Sequence, residues 1–335
     1  MSLKAFSQQD PVIKSNFRTI VFWNVDKLYD TNNDPLTKDD DFLPAALKQW
    51  NEEKYRKKIT DLSETISAID QGDLPVIIGL AEIENQKVLS DLASSQKLKP
   101  GNYGIIHYDN NDPDGLGVAL FYRKDQVEIL GSKAVPVTTS FDIKSVFKDI
   151  LYVKCRLKGD NEYNIFVVHW PARTSDDADE LKRISVAISL RKEIDNILNL
   201  QNRARIIVLG DFNDEPTSKS LAQMLNASNK RKNLNYRDLF NMMYDMHNMT
   251  ESGSYSENGK LFMFDQIIVS PEVFNKAAGY YLSFGDGNIF HSGEKKPEDS
   301  TSGNGIPVPT FSGNRYIGGA SSHFPVYIKL KKSGN

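Results

Sequence analysis

One cysteine in 335 residues, Cys155, leaves the chain no internal disulfide and no cysteine-built zinc or iron–sulfur site. No stretch approaches the roughly 18–20 consecutive apolar residues of a membrane helix, so no membrane span is expected. A long basic run is missing as well, with 41 Lys and Arg standing against 44 Asp and Glu. That balance argues against a protein permanently coated in nucleic acid, though not against an enzyme that visits it briefly. Common nucleotide-binding and hydrolase signatures are also missing. Gly253 to Gly259-Lys260 has the wrong spacing for a phosphate loop and runs into Leu261. No G-x-G-x-x-G follows a strand, and neither H-E-x-x-H nor G-x-S-x-G occurs. Residues 1–11 lack the apolar segment of an export signal, and Met1-Ser2-Leu3 reads as an expression leader. The compartment therefore stays open: cytoplasmic, or exported with the signal peptide cut away.

What is present is an ordinary globular composition, 39% hydrophobic and 25% charged, long enough to bury a sizeable core. Short β-branched and aromatic runs read as strands: Thr19–Asn24, Val76–Glu82, Val118–Tyr122, Asn164–His169 and Ile206–Asp211. Several are apolar at consecutive positions, which suits strands covered on both faces. Between them, Ile59, Leu62, Ile66 and Ile69 fall at helical spacing. So do Leu181, Ile184 and Ile188, then Ile194, Ile197 and Leu198, after a capping stretch at Ser175-Asp176-Asp177. A mixed α/β architecture follows. Residues 26–41 carry Asp26, Asp30, Asp34, Asp39, Asp40 and Asp41 and read as a solvated acidic loop. Residues 284–319 hold eight glycines and read as a long loop that overhangs a cleft and has a mobile middle.

The endings of the strands carry the chemistry. Four apolar runs stop at Asn24, Glu82, His169 and Asp211, the last followed by Phe212-Asn213-Asp214. Ligands of α/β sheets gather at the carboxyl ends of strands, so these four endings are expected to converge. Five histidines and one cysteine leave a site rich in oxygen donors, which selects Mg²⁺ or Mn²⁺ over zinc.

Six segments in order carry a resemblance: Phe22–Val25, Gly79–Asn85, Val168–Pro171, Gly210–Pro216, Phe264–Ser270 and Ser322–Val326. Together they resemble the endonuclease/exonuclease/phosphatase superfamily, the deoxyribonuclease-I-like phosphoesterases, over residues 18–330. The resemblance implies a four-layer α/β sandwich: two mixed sheets face to face with helices outside, in one domain, with residues 1–17 as an N-terminal extension. It implies that Asn24 and Glu82 hold a divalent metal, and that Asp211 orients and deprotonates the attacking water beside Asn213. His323 would contact phosphate, kept protonated by Asp265, while His169 would donate to a phosphate oxygen or assist the leaving group. The implied activity is metal-dependent hydrolysis of a phosphate ester, first a nuclease-type phosphodiesterase with nucleic acid among its partners. The alternatives are a phosphomonoesterase on a nucleotide, inositol or sugar phosphate, and a weakened member that only binds its ligand. A monomer is expected. Arg173, Lys182, Arg183, Lys260 and Arg315 are candidate phosphate contacts or simple surface charge.

Two positions depart from the family pattern. Ser322 stands where relatives have an aspartate before the histidine, which removes a carboxylate near the metal. Leu116 and Gly117 stand where many relatives have the acid that orients the first histidine, with Asp114 the nearest carboxylate.

Overall fold

The computed structural model describes residues 17–70, 73–109, 112–138, 146–173, 177–249, 252–277, 279–291 and 305–334. The chain opens with β1 (Phe17–Leu28), α1 (Glu52–Ala68), β2 (Ile77–Ile83) and α2 (Gln86–Ala93). Next come β3 (Tyr103–His107), β4 (Gly117–Arg123), β5 (Val127–Val135), β6 (Ile150–Leu157) and β7 (Glu162–His169). After α3 (Asp177–Leu200) follow β8 (Arg205–Asp211), β9 (Ala227–Ser228) and β10 (Leu239–Asn241). A hairpin of β11 (Tyr255–Glu257) and β12 (Lys260–Phe262) leads into β13 (Asp265–Val269). The last strands are β14 (Tyr280–Tyr281), β15 (Gly287–Ile289), β16 (Phe311–Ser312), β17 (Arg315–Tyr316) and β18 (Val326–Lys332).

Two sheets form. One runs β14-β18-β1-β2-β4-β3, with β15 also on β18; the other runs β5-β6-β7-β8-β13-β10-β9. Both are mixed, because β1–β2 and β7–β8 are parallel while most other pairs are antiparallel. The consecutive apolar runs are explained by strand alternation. Ile20 and Phe22 of β1 join Ile207 and Leu209 of β8 in the core between the sheets. Val21, Trp23 and Val25 face the other way, into a core with Ile59, Leu62 and Ile66 of α1 and Leu89 of α2. Ile206 and Val208 face Val186, Ala187, Leu190 and Ile194 of α3. Helix, sheet, sheet, helix is the four-layer sandwich that the resemblance implies. The inner faces approach closely at Gly79, where a Cβ would lie 3.1 Å from Leu209 Cδ1 and 3.3 Å from Phe22 Cδ2.

Two local expectations change. The helix over residues 177–200 forms, but Leu181 and Ile188 are half-exposed, and its buried stripe runs Arg183, Val186, Ala187, Leu190, Ile194 and Leu198. Arg183 belongs to that stripe because Asp214 meets it below the sheet edge, at 2.9 Å from Nε to Oδ2. Ser175-Asp176 lies outside the described residues, and α3 begins at Asp177. The acidic loop is not simply solvated either, since Asp30 and Asp39 are buried. Asp39 Oδ2 accepts the Asp34 N–H, Asp30 Oδ1 accepts the Asn32 N–H, and Glu84 Oε2 accepts the Asp30 N–H, so the carboxylates shape the turn. Burial pushes Glu84 up to about 7; the Asp30 N–H opposes this and the Asp30, Asp39 and Asp34 charges add to it.

The segment 284–319 divides. At its start β15 pairs with β18, and at its end β16 and β17 form a hairpin. Thr310 there donates from its N–H to Asp26 Oδ2 at 3.0 Å and accepts from buried Lys58 at 2.7 Å. Residues 292–304, the middle of the expected overhang, lie outside the described residues. None of the described flanks lines the cleft discussed next.

Candidate active site

Strand phase aims the polar endings inward. Asn24 keeps step with Ile20 and Phe22, His169 with Ile165 and Val167, and Asp211 with Ile207 and Leu209, all residues of the inter-sheet core. His169 and Asp211 are register partners on parallel β7 and β8, and Asp265 pairs with Asp211 across antiparallel β8 and β13. Glu82 needs a different device. Simple alternation would send it outward with Ile78 and Leu80. Its left-handed φ of 63°, at a register shift between Ala81 and Ile83, turns it back instead. A matching irregularity interrupts β1, where Asp26 (φ 54°) and Lys27 (φ 59°) are left-handed. The two irregularities lock together, because the Lys27 N–H donates to Glu82 Oε2 at 2.9 Å. Lys58, buried beneath them, donates to the Asp26 carbonyl oxygen. Four non-glycine residues held at positive φ around one site is backbone strain concentrated where the chemistry gathers; Asn213, at 48°, is the fourth.

The groups converge. Asn24 Nδ2 donates to Glu82 Oε1 at 3.1 Å and to Asp211 Oδ2 at 2.9 Å. His169 Nε2 stands 3.8 Å from Glu82 Oε1 and 3.7 Å from Asp211 Oδ2, and His323 Nε2 stands 3.9 Å from Asp211 Oδ2. His323 Nδ1 is paired with Asp265 Oδ2 at 2.7 Å. Asn213 donates its N–H to Asp211 Oδ1 at 3.0 Å and its side-chain amide to the Trp170 carbonyl at 2.9 Å, so it fixes the Asp211 carboxylate. Ser321 Oγ ties the end of β1 to the approach to β18, donating to the Asn24 carbonyl and accepting the His323 N–H. All seven expected site residues therefore lie in one constellation, and Glu82, His169, Asp211, Asn213 and His323 line a cleft of about 620 Å³.

The two histidines are electrostatically opposite. Burial alone would lower His323, but Asp265, bonded to Nδ1, with Asp211 and Glu82 nearby, holds it up to about 9. His169 is pushed well below the usual imidazole value by burial, by Lys148 and by His323. Its Nδ1 has no hydrogen-bond partner among the described residues. Burial and the Asp265 carboxylate push Asp211 up to about 7, against the pull of His323, Asn24 and the Asn213 N–H.

Hard divalent cations fit this donor set. The part-buried carboxylate of Glu82 and the buried one of Asp211 both face His169 Nε2, and oxygen-rich clusters of this kind suit Mg²⁺ or Mn²⁺. Asp211, Asp265 and His323 also present ligand atoms within 4.8 Å of one another. In that trio His323 and Asp265 are already paired with each other. Asn24 meets the site through its amide N–H groups, while its Oδ1 accepts the Asp26 N–H at 3.0 Å.

Sequence reasoning missed Tyr255 and Lys148. The Tyr255 ring lies 4.6 Å from that of His323 and stacks on Phe264 on its other side. Tyr255 opens β11 and Lys148 lies in the loop before β6, and only the folded topology brings them to the cleft. Among the candidate phosphate contacts, Lys182 lines the cleft, Arg183 is buried, and Arg173, Lys260 and Arg315 are exposed outside the lining.

The sequence model of the Endonuclease/Exonuclease/phosphatase family matches residues 19–332, and the chain belongs to that family, whose members are hydrolases acting on phosphoesters. No curated protein matches the chain in sequence. Solved structures share the fold. The human Nocturnin catalytic domain with bound sulfate is 17% identical, with 95% of each chain covered and a TM-score of 0.55. D. rerio TDP2 complexed with a single-strand DNA product is 15% identical, covering 95% of this chain and 100% of that one, TM-score 0.55. The mannosyl-6-phosphatase of Bacteroides thetaiotaomicron is 17% identical, covering 93% and 99%, TM-score 0.55. At these identities the likeness establishes the fold. Among the described residues, no helix is long and apolar enough to cross a membrane.

Proposed function

We propose that the chain hydrolyses a phosphate ester with the help of a divalent cation held by Glu82 and Asp211, with Asn24 beside them. The observation that carries this is the meeting of Asn24, Glu82, His169, Asp211, Asp265 and His323 from both sheets at one cleft. A bound Mg²⁺ or Mn²⁺ supplies charge neutralisation of the phosphate oxygens, which otherwise repel an incoming water. Asp211, its carboxylate oriented by the Asn213 N–H, takes the proton of that water. His323, protonated and braced by Asp265, donates from Nε2 to a phosphate oxygen. Neutral His169 donates a hydrogen bond without adding charge. Buried donors fixed in place before the substrate arrives need no reorganisation during reaction.

The direct test is phosphate release with Mg²⁺, with Mn²⁺ and with chelator. Strict metal dependence is expected, and full activity in chelator would overturn the reading. The metal seat has its own readout. Saturating Mg²⁺ or Mn²⁺ should raise the melting temperature by mass action. Glu82→Gln should abolish most of that rise, and an undiminished rise would put the ion elsewhere.

Ser322 lines the cleft next to His323 and brings no charge where the family resemblance implies a carboxylate. Losing a partner of this kind typically costs about 10–100-fold in metal affinity or activity. Ser322→Asp is therefore expected to improve metal affinity or turnover by up to that range, read by calorimetric titration and initial rates. If neither changes, residue 322 stands outside the working site.

A further inference from the structure

We infer that the substrate of this site is a sugar or polyol carrying a single phosphate group rather than a polynucleotide. The inference rests on the phosphoesterase reading above and concerns the cleft beyond the reacting centre. Around the described lining stand six carboxylates, Asp26, Glu82, Asp112, Asp114, Asp179 and Asp211, against three ammonium groups, Lys27, Lys148 and Lys182. Two of those lysines are already engaged. Lys148 Nζ lies 2.6 Å from Asp112 Oδ2, and Lys182 Nζ lies 3.0 Å from Asp179 Oδ1. Proteins that track a nucleic-acid backbone do so with cations free to neutralise successive phosphates, and their affinity comes largely from the counterions released. This cleft has the opposite character. A dication and the His323 imidazolium would bring the described lining to about neutrality, enough to receive one phosphate group. A second and third phosphate along the cleft would meet Asp112, Asp114 or Asp179.

The same ion pairs are suited to hydroxyl groups. An ammonium beside a carboxylate presents a strong donor next to a strong acceptor, the complement of two neighbouring hydroxyls, each of which can both donate and accept. Asp112 and Lys148 come from the loops before β4 and β6, whereas Asp179 and Lys182 come from the first turns of α3. The pairs therefore approach the cleft from separate elements. Phe147 and Tyr255, both partly exposed in the lining, add apolar ring surface for the carbon face of such a ligand.

The test is a side-by-side assay of the wild-type protein with Mg²⁺ on a hexose phosphate, glycerol phosphate, p-nitrophenyl phosphate, and single- and double-stranded oligonucleotides. The expected result is a kcat/KM for the hexose phosphate at least about a hundredfold above that for either oligonucleotide. Asp112→Asn and Asp179→Asn should each lower hexose phosphate kcat/KM about tenfold more than that for p-nitrophenyl phosphate, which has no hydroxyls, in line with the loss of one charged hydrogen bond. Preference for an oligonucleotide, or equal loss on both esters in both variants, would overturn the inference while leaving phosphoester hydrolysis standing. If no ester is cleaved, the phosphoesterase reading fails, and calorimetric binding then decides: tighter binding of hexose phosphate than of oligonucleotide supports the inference, and the reverse overturns it.

Discussion

Replacing Asp211 with asparagine should lower phosphate release by about 10²–10⁴-fold, the usual contribution of a positioned general base, and yet stabilise the metal-free protein at neutral and alkaline pH. Asp211 is 1% exposed, and its carboxyl is held up to about 7 by burial and by Asp265. A group whose folded value lies above its unfolded one contributes stability that is complete below the unfolded value. That contribution is lost as pH climbs through the folded one. For Asp211 the loss runs from about pH 4 to 7. For His323, raised from 6.5 to about 9, it runs from 6.5 to 9. In chelator, the wild-type protein should therefore lose stability steadily from pH 4 to 9, and Asp211→Asn should lack the first part of the decline. The gap between the two curves should widen from about pH 4 to 7 and persist at pH 8. Urea unfolding across that range, beside initial rates with Mg²⁺, reads both effects. Parallel stability curves, or activity kept within tenfold, would remove Asp211 from the role of base.

Arg183→Met is the second large effect, and here stability and activity should fall together. Arg183 is 4% exposed, with Nε 2.9 Å from Asp214 Oδ2 and Nη1 donating to the Ala172 carbonyl. It thus clamps the loop after His169 to the loop after Asp211 from beneath. Removing one member of a buried pair strands the other charge, which typically costs about 3–5 kcal/mol. Among the described residues, the Asp214 carboxylate then keeps the hydrogen bond from Ser220 Oγ. Asp214→Asn added to Arg183→Met should recover part of the stability, because the stranded charge is gone, but not the activity, because the clamp is gone too. A double variant no more stable than Arg183→Met would show that the loss is one of packing along the arginine stem.

The site was legible in the sequence wherever regular structure positions it. Asn24, His169 and Asp211 close apolar runs whose alternation alone sends them inward, so strand phase and motif order sufficed. Glu82 was found by motif but not by phase, because a left-handed residue reverses the direction that period-two counting gives. Asn24 was read as a metal ligand, and the structure presents its amide N–H groups to the two carboxylates; which end of an amide faces inward depends on neighbours such as the Asp26 N–H. The fold class was legible because strands covered on both faces cannot be surface strands. The face of α3 was not, since counting apolar residues overlooks a buried arginine with a carboxylate partner. Loops were least legible: Asp30 and Asp39 looked like solvated charge and instead accept backbone N–H groups, and nothing local joins Lys148 to Asp112, 36 positions apart.

Gly79 puts the chemistry under mechanical control. Asn24, Glu82 and the approach to His323 ride on one sheet, and His169, Asp211 and Asp265 on the other, so the reacting distances are set by sheet separation and slip. The contact of Gly79 with Leu209 is one such spacer, and a methyl group added there would need Leu209 Cδ1, 3.1 Å away, to give by a few tenths of an ångström. A fraction of an ångström admitted at that spacer would carry His169 and Asp211 away from Glu82 while the strand ladders stayed whole. Solvent, pressure or a distant cavity would register in turnover well before it registered as unfolding.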